Sequence, residues 1–236
     1  MFIYYMPDAI LIAAAIIPAI ALLCLVYRED RLEPEPPQLL MRLVLLGIVS
    51  TSVAKLLEQA GVFLLNNFFY EETLLYNILL YFGVVGFAEE GAKYAQLKRA
   101  TWYSPFFNCR FDGVVYAAFV SLGFALWENI GYVLMNGMGT ALLRAVTAIP
   151  GHACFGVFMG CWYTQAAALW RRGDEEGSKT LRIMSVVIPA LLHGAYDFLA
   201  VALSQVSSWY FMAFVAVLFL ITYRLIRKLS REDGFI

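Results

Sequence analysis

Two adjacent glutamates and a nearby lysine interrupt a long apolar stretch of this chain. Lys93 follows Glu89 by four residues and Glu90 by three, so on a helix it can reach both carboxylates but neutralise only one. Two carboxylates this close cannot both ionise cheaply in a low dielectric. One of them is therefore expected to exchange a proton, as a general base or acid does. The structural alternative is an ion pair that joins two helices, which would leave the second glutamate unexplained.

Three later apolar stretches add further polar groups. Glu128 follows an aromatic residue, Phe124, by four positions. The non-catalytic interpretation is that Glu128 is an interfacial residue near the end of its span. His152, one of the chain's two histidines, follows a Pro-Gly pair. The other, His193, stands four residues before Asp197, so a carboxylate can orient the imidazole. The non-catalytic interpretation is that His193 and Asp197 form a buried pair in which each satisfies the other's hydrogen-bonding need.

A shared polar cavity explains all of these residues more simply than several unrelated structural roles. A charged side chain at mid-bilayer costs roughly 2.5–3.5 kcal/mol unless it faces partners or water. Carboxylates and imidazoles, with no serine or threonine paired to a base, suit hydrolysis by an activated water. An alternative is that both histidines and the carboxylates bind zinc, although the HExxH pattern is absent. The candidate catalytic residues are Glu89, Glu90, Lys93, Glu128, His152, His193 and Asp197.

The composition predicts a polytopic membrane protein. The chain is 61% hydrophobic and 15% charged, whereas soluble domains are about 45–50% apolar and about 25% charged. We expect one all-α domain over 1–236: a transmembrane helical bundle of seven spans around a polar cavity. A net charge of −1 argues against a nucleic-acid partner. The predicted spans are 9–26, 39–65, 74–97, 113–134, 141–170, 183–203 and 209–226.

Basic residues concentrate in alternate loops. They follow the first, third, fifth and seventh spans, and Arg144 alone lies at the opposite end of a span. The positive-inside rule then places the N-terminus outside and the C-terminus in the cytoplasm. The second or fifth span can hide a break, which would give eight spans.

Two spans carry additional signals. Lys55 and Glu58, one helical turn apart in the second span, can form an ion pair. Pro150 predicts a kink in the fifth span just before His152, because proline cannot donate a helical hydrogen bond. Gly156 and Gly160 form a GxxxG pattern, for which close helix packing is the favoured interpretation.

These motifs resemble those of the PrsW family of intramembrane proteases. That family lies within the larger superfamily of CAAX-prenyl-protease and bacteriocin-immunity-type (ABI) membrane proteins. Its marks are EExxK, FxxxE, a histidine in a following span, and HxxxD. Here they are Glu89 to Lys93, Phe124 to Glu128, His152, and His193 to Asp197. The order and the placement on separate spans are specific, and the resemblance covers about 83–198.

The resemblance implies a membrane-embedded endopeptidase of the glutamic type that uses no cofactor. It implies a first, outer-side cut in a single-span anti-sigma factor during envelope-stress signalling. Carried over from the wider superfamily, Glu89 is the base that activates water and Glu90 pairs with Lys93. His193 stabilises the oxyanion, with Asp197 where the superfamily has asparagine.

One departure from the wider superfamily leaves a role open. Glu128 stands where that superfamily has a histidine that helps the base, so either Glu128 or His152 can hold the water. Two other classes compete with the glutamic protease. One is a zinc-dependent protease at the same residues. The other is a non-enzymatic immunity or receptor protein, or a proton-coupled transporter, whose inverted repeats the sequence lacks.

Overall fold

The computed structural model describes residues 8–71, 73–202 and 208–236, and within them the fold is all-α, as predicted. The end of the predicted sixth span, at position 203, lies outside the described residues. The helices are α1 (Asp8–Glu29), α2 (Pro37–Phe68), α3 (Leu74–Ile78), α4 (Gly86–Thr101), α5 (Asp112–Asn136), α6 (Met138–Val146), α7 (Ala148–Arg171), α8 (Glu175–Asp197) and α9 (Ser208–Arg231).

Six helical stretches of the described chain are long and apolar enough to cross a membrane. They are Asp8–Glu29, Pro37–Phe68, Asp112–Asn136, Met138–Arg171, Glu175–Val201 and Ser208–Arg231. They correspond to six of the seven predicted spans. The predicted third span is helical from α3 to the end of α4, but it lies outside this set. Its π-helical interruption and its Glu89, Glu90 and Lys93 explain why length and composition alone do not identify it.

Helix α5 forms the centre of the bundle and packs against α1, α2 and α7. Its first half is apolar or small on every side and is buried throughout, as expected for a helix surrounded by others. Gly160 of α7 faces the backbone of α5 at Gly113, where a Cβ atom would clash. Gly156 is also close to Ala117 and Ser121, where a Cβ atom would come within 3.0 Å of both residues. The packing interpretation of the GxxxG pattern is therefore confirmed.

Irregular backbone flanks the segments that carry the candidate residues. A π-helical segment, Leu79–Val85, precedes α4, and a second, Phe198–Ala202, follows α8. Single π-turns within α-helices are frequent at functional sites. The predicted fifth span breaks at Thr147, between α6 and α7. Pro150 thus lies in the first turn of α7, where the missing N–H costs little. The kink predicted just before His152 is observed as an interruption of the helix at Thr147, five residues before this histidine.

At the N-terminal end of α5, the α1–α2 connection and the C-terminal tail cover the end of the bundle. Asp112 accepts hydrogen bonds from the backbone N–H groups of Asn108 and Cys109. Asp30 accepts one from the N–H of Glu35, and both carboxyl groups are buried. This end therefore holds several carboxyl groups close together.

Candidate active site

A cavity of about 510 Å³ opens among helices α2 and α4 to α8. Five of the seven candidate residues line it: Glu89, Glu128, His152, His193 and Asp197. The remaining two, Glu90 and Lys93, lie behind its wall and are 0% exposed. The paired glutamates are therefore not equivalent, because only Glu89 faces the cavity.

Lys93 is the centre of the polar cluster. Its ammonium lies 2.7 Å from Glu90 Oε1, 3.2 Å from Glu89 Oε2 and 3.1 Å from His152 Nδ1. It also lies 4.0 Å from the centroid of the Phe124 ring, a cation–π contact. A lysine ammonium has three N–H donors, so these partners use all of its hydrogen-bonding capacity.

His152 connects this centre to Glu128. Because Lys93 donates to Nδ1, the ring proton of a neutral His152 resides on Nε2. That nitrogen lies 3.2 Å from Glu128 Oε2 and can donate to it. The same carboxylate oxygen accepts a hydrogen bond of 2.6 Å from Arg144. Glu128 is thus held in a cluster of partners, not left as an isolated interfacial residue.

His193 completes the cluster from α8. Its Nδ1 lies 2.9 Å from Glu90 Oε1 and 3.7 Å from Glu89 Oε2. Its Nε2 lies 3.5 Å from Asp197 Oδ2, an ion-pair contact longer than the usual hydrogen bond. Phe155 stacks on the imidazole at a centroid distance of 4.7 Å and fixes the plane of the ring. The ring is thereby presented edge-on between two carboxylates.

The structure brings all seven candidate residues into one continuous network. It runs from Arg144 through Glu128, His152 and Lys93 to the glutamate pair, and from there to His193 and Asp197. The seven residues lie on α4, α5, α7 and α8, and Arg144 lies on α6. The seven residues predicted to share one site thus lie in contact with one another, and five of them line one cavity.

Arg144 and Asn129 are parts of the site that the sequence did not identify. Arg144 donates from Nη2 to Glu128 and from Nε to the side-chain oxygen of Asn129 at 2.8 Å. Asn129 donates in turn to the carbonyl of Ala15 on α1. The available signal was that Arg144 alone broke the alternation of basic loops.

The predicted ion pair between Lys55 and Glu58 is not formed. Both residues line the cavity, and the ion pairs of the described residues include none between them. Both side chains point toward the site from α2, so their polarity serves the cavity and not a local helix contact.

Glu89, Glu90, His152 and His193 also offer the ligand types of a metal site. One ligand atom from each lies within 4.8 Å of the others. The Lys93 ammonium, however, contacts three of these four side chains. The ammonium thus lies among the same side chains and directs a proton at Nδ1 of His152. A metal ion bound by these residues would compete with Lys93 for them.

The chain is similar in sequence to known proteins over most of its length. A family model described as "PrsW family intramembrane metalloprotease" matches residues 35–223. The protein "Protease PrsW" of Bacillus subtilis (strain 168) is 34% identical over 195 residues, 83% of this chain and 84% of that protein. "Protease PrsW" of Halalkalibacterium halodurans is 32% identical over 223 residues, 94% of this chain and 98% of that protein. No solved structure gives a significant match.

Proposed function

Because the chain belongs to the PrsW family of intramembrane proteases, we propose that it hydrolyses a peptide bond of a single-span membrane protein with a water activated by Glu89. The observation that carries this proposal is that the two adjacent glutamates have different surroundings. Glu90 is enclosed and bound by Lys93 and His193, whereas Glu89 faces the cavity. A general base must reach water and substrate, and of this pair only Glu89 lines the cavity.

In the proposed reaction Glu89 takes a proton from water as the oxygen attacks the scissile carbonyl carbon. The carbonyl π electrons move to oxygen and form a tetrahedral oxyanion. Doubly protonated His193 donates from Nδ1 to Glu90, and its Nε2–H, which faces Asp197 at 3.5 Å, turns to the oxyanion as the negative charge develops. Glu89 then returns its proton to the leaving nitrogen as the C–N bond breaks. One water and one peptide bond yield one carboxylic acid and one amine.

Glu128 and His152 form the opposite side of the site. The fixed Nε2–H···Glu128 contact leaves His152 no acceptor nitrogen for water, because Nδ1 already accepts from Lys93. The carboxylate of Glu128 lines the cavity and can accept from water. We therefore assign the water-holding role to Glu128 and the positioning of Glu128 to His152.

The proposed substrate is an anti-sigma factor, cut on the outer side of the membrane at the first step of its degradation. Glu128, His152 and Asp197 support this side, since they lie toward the outer halves of their helices when the C-terminus is cytoplasmic. That orientation is itself part of the proposal, and it follows from the basic loops.

The test is co-expression with a tagged single-span anti-sigma factor from the same genome. We expect a shortened substrate with the wild type and full-length substrate with Glu89→Gln, Glu90→Gln and His193→Ala, all at equal levels in the membrane. The isosteric Glu89→Gln change removes basicity and keeps shape, so cleavage by this variant would refute the assignment of the base.

Zinc-assisted hydrolysis is the second candidate, favoured by the four ligand types and by the family description. Purified protein in detergent discriminates the two. The proposal expects cleavage to survive 1,10-phenanthroline and prolonged dialysis against EDTA. Loss of cleavage that zinc restores would instead establish the metal-dependent reaction.

A further inference from the structure

Two charged residues of α2 face the cavity and take no part in the catalytic network. Thr51, Lys55 and Glu58 follow one another at four and three residues, so they share a face of α2, and all three line the cavity. Leu56 and Leu57, between them, are 68% and 51% exposed and point to the outside of the bundle. The charged pair thus belongs to the site and not to the lipid-facing surface.

Both side chains are near the reacting groups and have unused hydrogen-bonding capacity. The Glu58 carboxyl is within electrostatic range of Lys93, Glu128, His193 and Asp197. Within the part of the chain that the structure describes, neither Lys55 nor Glu58 makes a side-chain hydrogen bond or an ion pair. Lys55 is exposed and Glu58 half-buried. A charge in the middle of a 32-residue apolar helix is costly unless something polar meets it.

The substrate needs hydrogen-bond partners of the kind that Lys55 and Glu58 can supply. An intact transmembrane helix buries its peptide bonds in its own hydrogen bonds, so the scissile bond becomes accessible only where the helix unwinds. In the membrane every N–H and C=O released by unwinding needs a partner. In the proposed reaction Glu89 and Glu128 hold the attacking water, and the Lys93 ammonium is saturated. These groups are therefore not available to bind the substrate backbone.

We infer that Lys55 and Glu58 bind the unwound backbone of the substrate beside the scissile bond. The Lys55 ammonium donates to substrate carbonyl oxygens, and the Glu58 carboxylate accepts from substrate N–H groups. The substrate segment then runs between α2 and the wall formed by α5, α7 and α8, where Glu89 and Glu128 meet the scissile bond. This inference rests on the proposed proteolytic function and specifies how that site holds an extended apolar peptide.

The test measures binding apart from turnover. The tagged anti-sigma factor is titrated onto detergent-solubilised Glu89→Gln protein that also carries Lys55→Met or Glu58→Gln. Each change removes one charge-assisted partner, so we expect affinity to fall about 10-fold. Lys55→Arg should restore it. The matched controls, Arg42→Met on the exposed surface of α2 and Glu176→Gln at the start of α8, should bind as the parent does.

Kinetics of the active protein provide a second readout. Lys55→Met and Glu58→Gln should raise KM with kcat changed less than about three-fold, as for groups that bind ground state and transition state alike. Unchanged affinity in the binding titration, or a loss confined to kcat, would overturn the inference. Cleavage by Glu89→Gln would refute the proposed base and leave the binding result at Lys55 and Glu58 interpretable.

Photocrosslinking covers the case in which a charge variant does not fold. A benzophenone amino acid replaces Lys55 in one protein and Leu56 in another. We expect capture of the substrate from position 55 and not from position 56, which faces outward. Equal capture from both positions, or capture from position 56 alone, would contradict a substrate path along this face.

Discussion

The ammonium of Lys93 on α4 lies 3.1 Å from Nδ1 of His152 on α7, 59 residues further along the chain. Since an ammonium can only donate, this contact decides which nitrogen of the imidazole carries the proton. It also places a positive charge among the four side chains that offer metal-ligand atoms. One lysine thereby sets both the tautomer of His152 and the competition with a metal.

The tautomer of His152 can be observed directly. With only two histidines in the chain, selective ¹⁵N-histidine labelling yields one set of ring signals for each. We expect His152 at neutral pH to be the Nε2–H tautomer, because Lys93 donates to Nδ1 and Glu128 accepts from Nε2. His193→Ala assigns the signals by elimination. A protonated Nδ1 on neutral His152 would contradict the contact.

Replacing Lys93 should both weaken the fold and admit a metal. Lys93→Ala leaves the fully buried Glu90 without its closest counter-ion, which typically costs about 3–5 kcal/mol. Thermal unfolding in detergent measures this loss. After incubation with zinc and dialysis, we expect elemental analysis to find zinc in Lys93→Ala and little in the wild type. Stoichiometric zinc in the wild type, with Lys93 intact, would show that the two are not competitors.

Arg144 is expected to be a positioning residue for Glu128. Arg144→Met removes the 2.6 Å bond to Glu128 and the bond to Asn129, and should lower the cleavage rate by about 10–100-fold, as losses of supporting contacts do. Arg144→Lys keeps a charge near Glu128 but cannot span both partners, so an intermediate rate is expected. Initial rates at matched protein levels are the measurement. Full activity of Arg144→Met would exclude this role.

The carboxyl groups between α1 and α2 predict a pH-dependent stability. Burial raises the pKa of Asp30 to about 6, against the hydrogen bond from the Glu35 N–H. Burial, with Asp112 and Asp30 nearby, raises the pKa of Glu35 to about 8. The folded state therefore binds more protons than the unfolded state between the unfolded pKa values near 4 and these raised values.

Stability should consequently fall as pH rises through this window and level off above about pH 8. We expect the Tm in detergent to be lower at pH 9 than at pH 5. Glu35→Gln replaces the titrating group by a neutral one of the same shape, so its Tm should depend less on pH. Arg31→Gln, an exposed change in the same connection, serves as the control. Equal pH dependence in Glu35→Gln and wild type would show that Glu35 does not titrate in this range.

The position of the termini tests whether the segment 74–101 crosses the membrane. Seven spans place the termini on opposite faces, whereas six place them on the same face. We expect a C-terminal green fluorescent protein to fluoresce in the cytoplasm. Asp8→Cys, in protein without the four native cysteines, should react with an impermeant maleimide from outside. Termini on one face would remove the third predicted span from the topology.

The sequence by itself determined the helical class, six of the spans, an interruption of the fifth span before His152 and seven of the polar residues that the structure brings together. These follow from local physics. Apolar runs near 20 residues must span or be buried, proline interrupts a hydrogen-bond ladder, and isolated charges in such runs need partners. Each of these rules depends only on residues that are close together in the chain, so the sequence is enough to apply it.

Only the tertiary structure decided which partners those charges take. Glu89 and Glu90 are neighbours of the same type, yet packing against α7 and α8 encloses one and leaves the other facing the cavity. The sequence predicts that Lys55 can pair with Glu58 on its own helix, and it marks Arg144 only as an exception to the distribution of basic residues. Both face the site because of how α2 and α6 pack, and contacts between residues distant in sequence depend on the whole arrangement of helices.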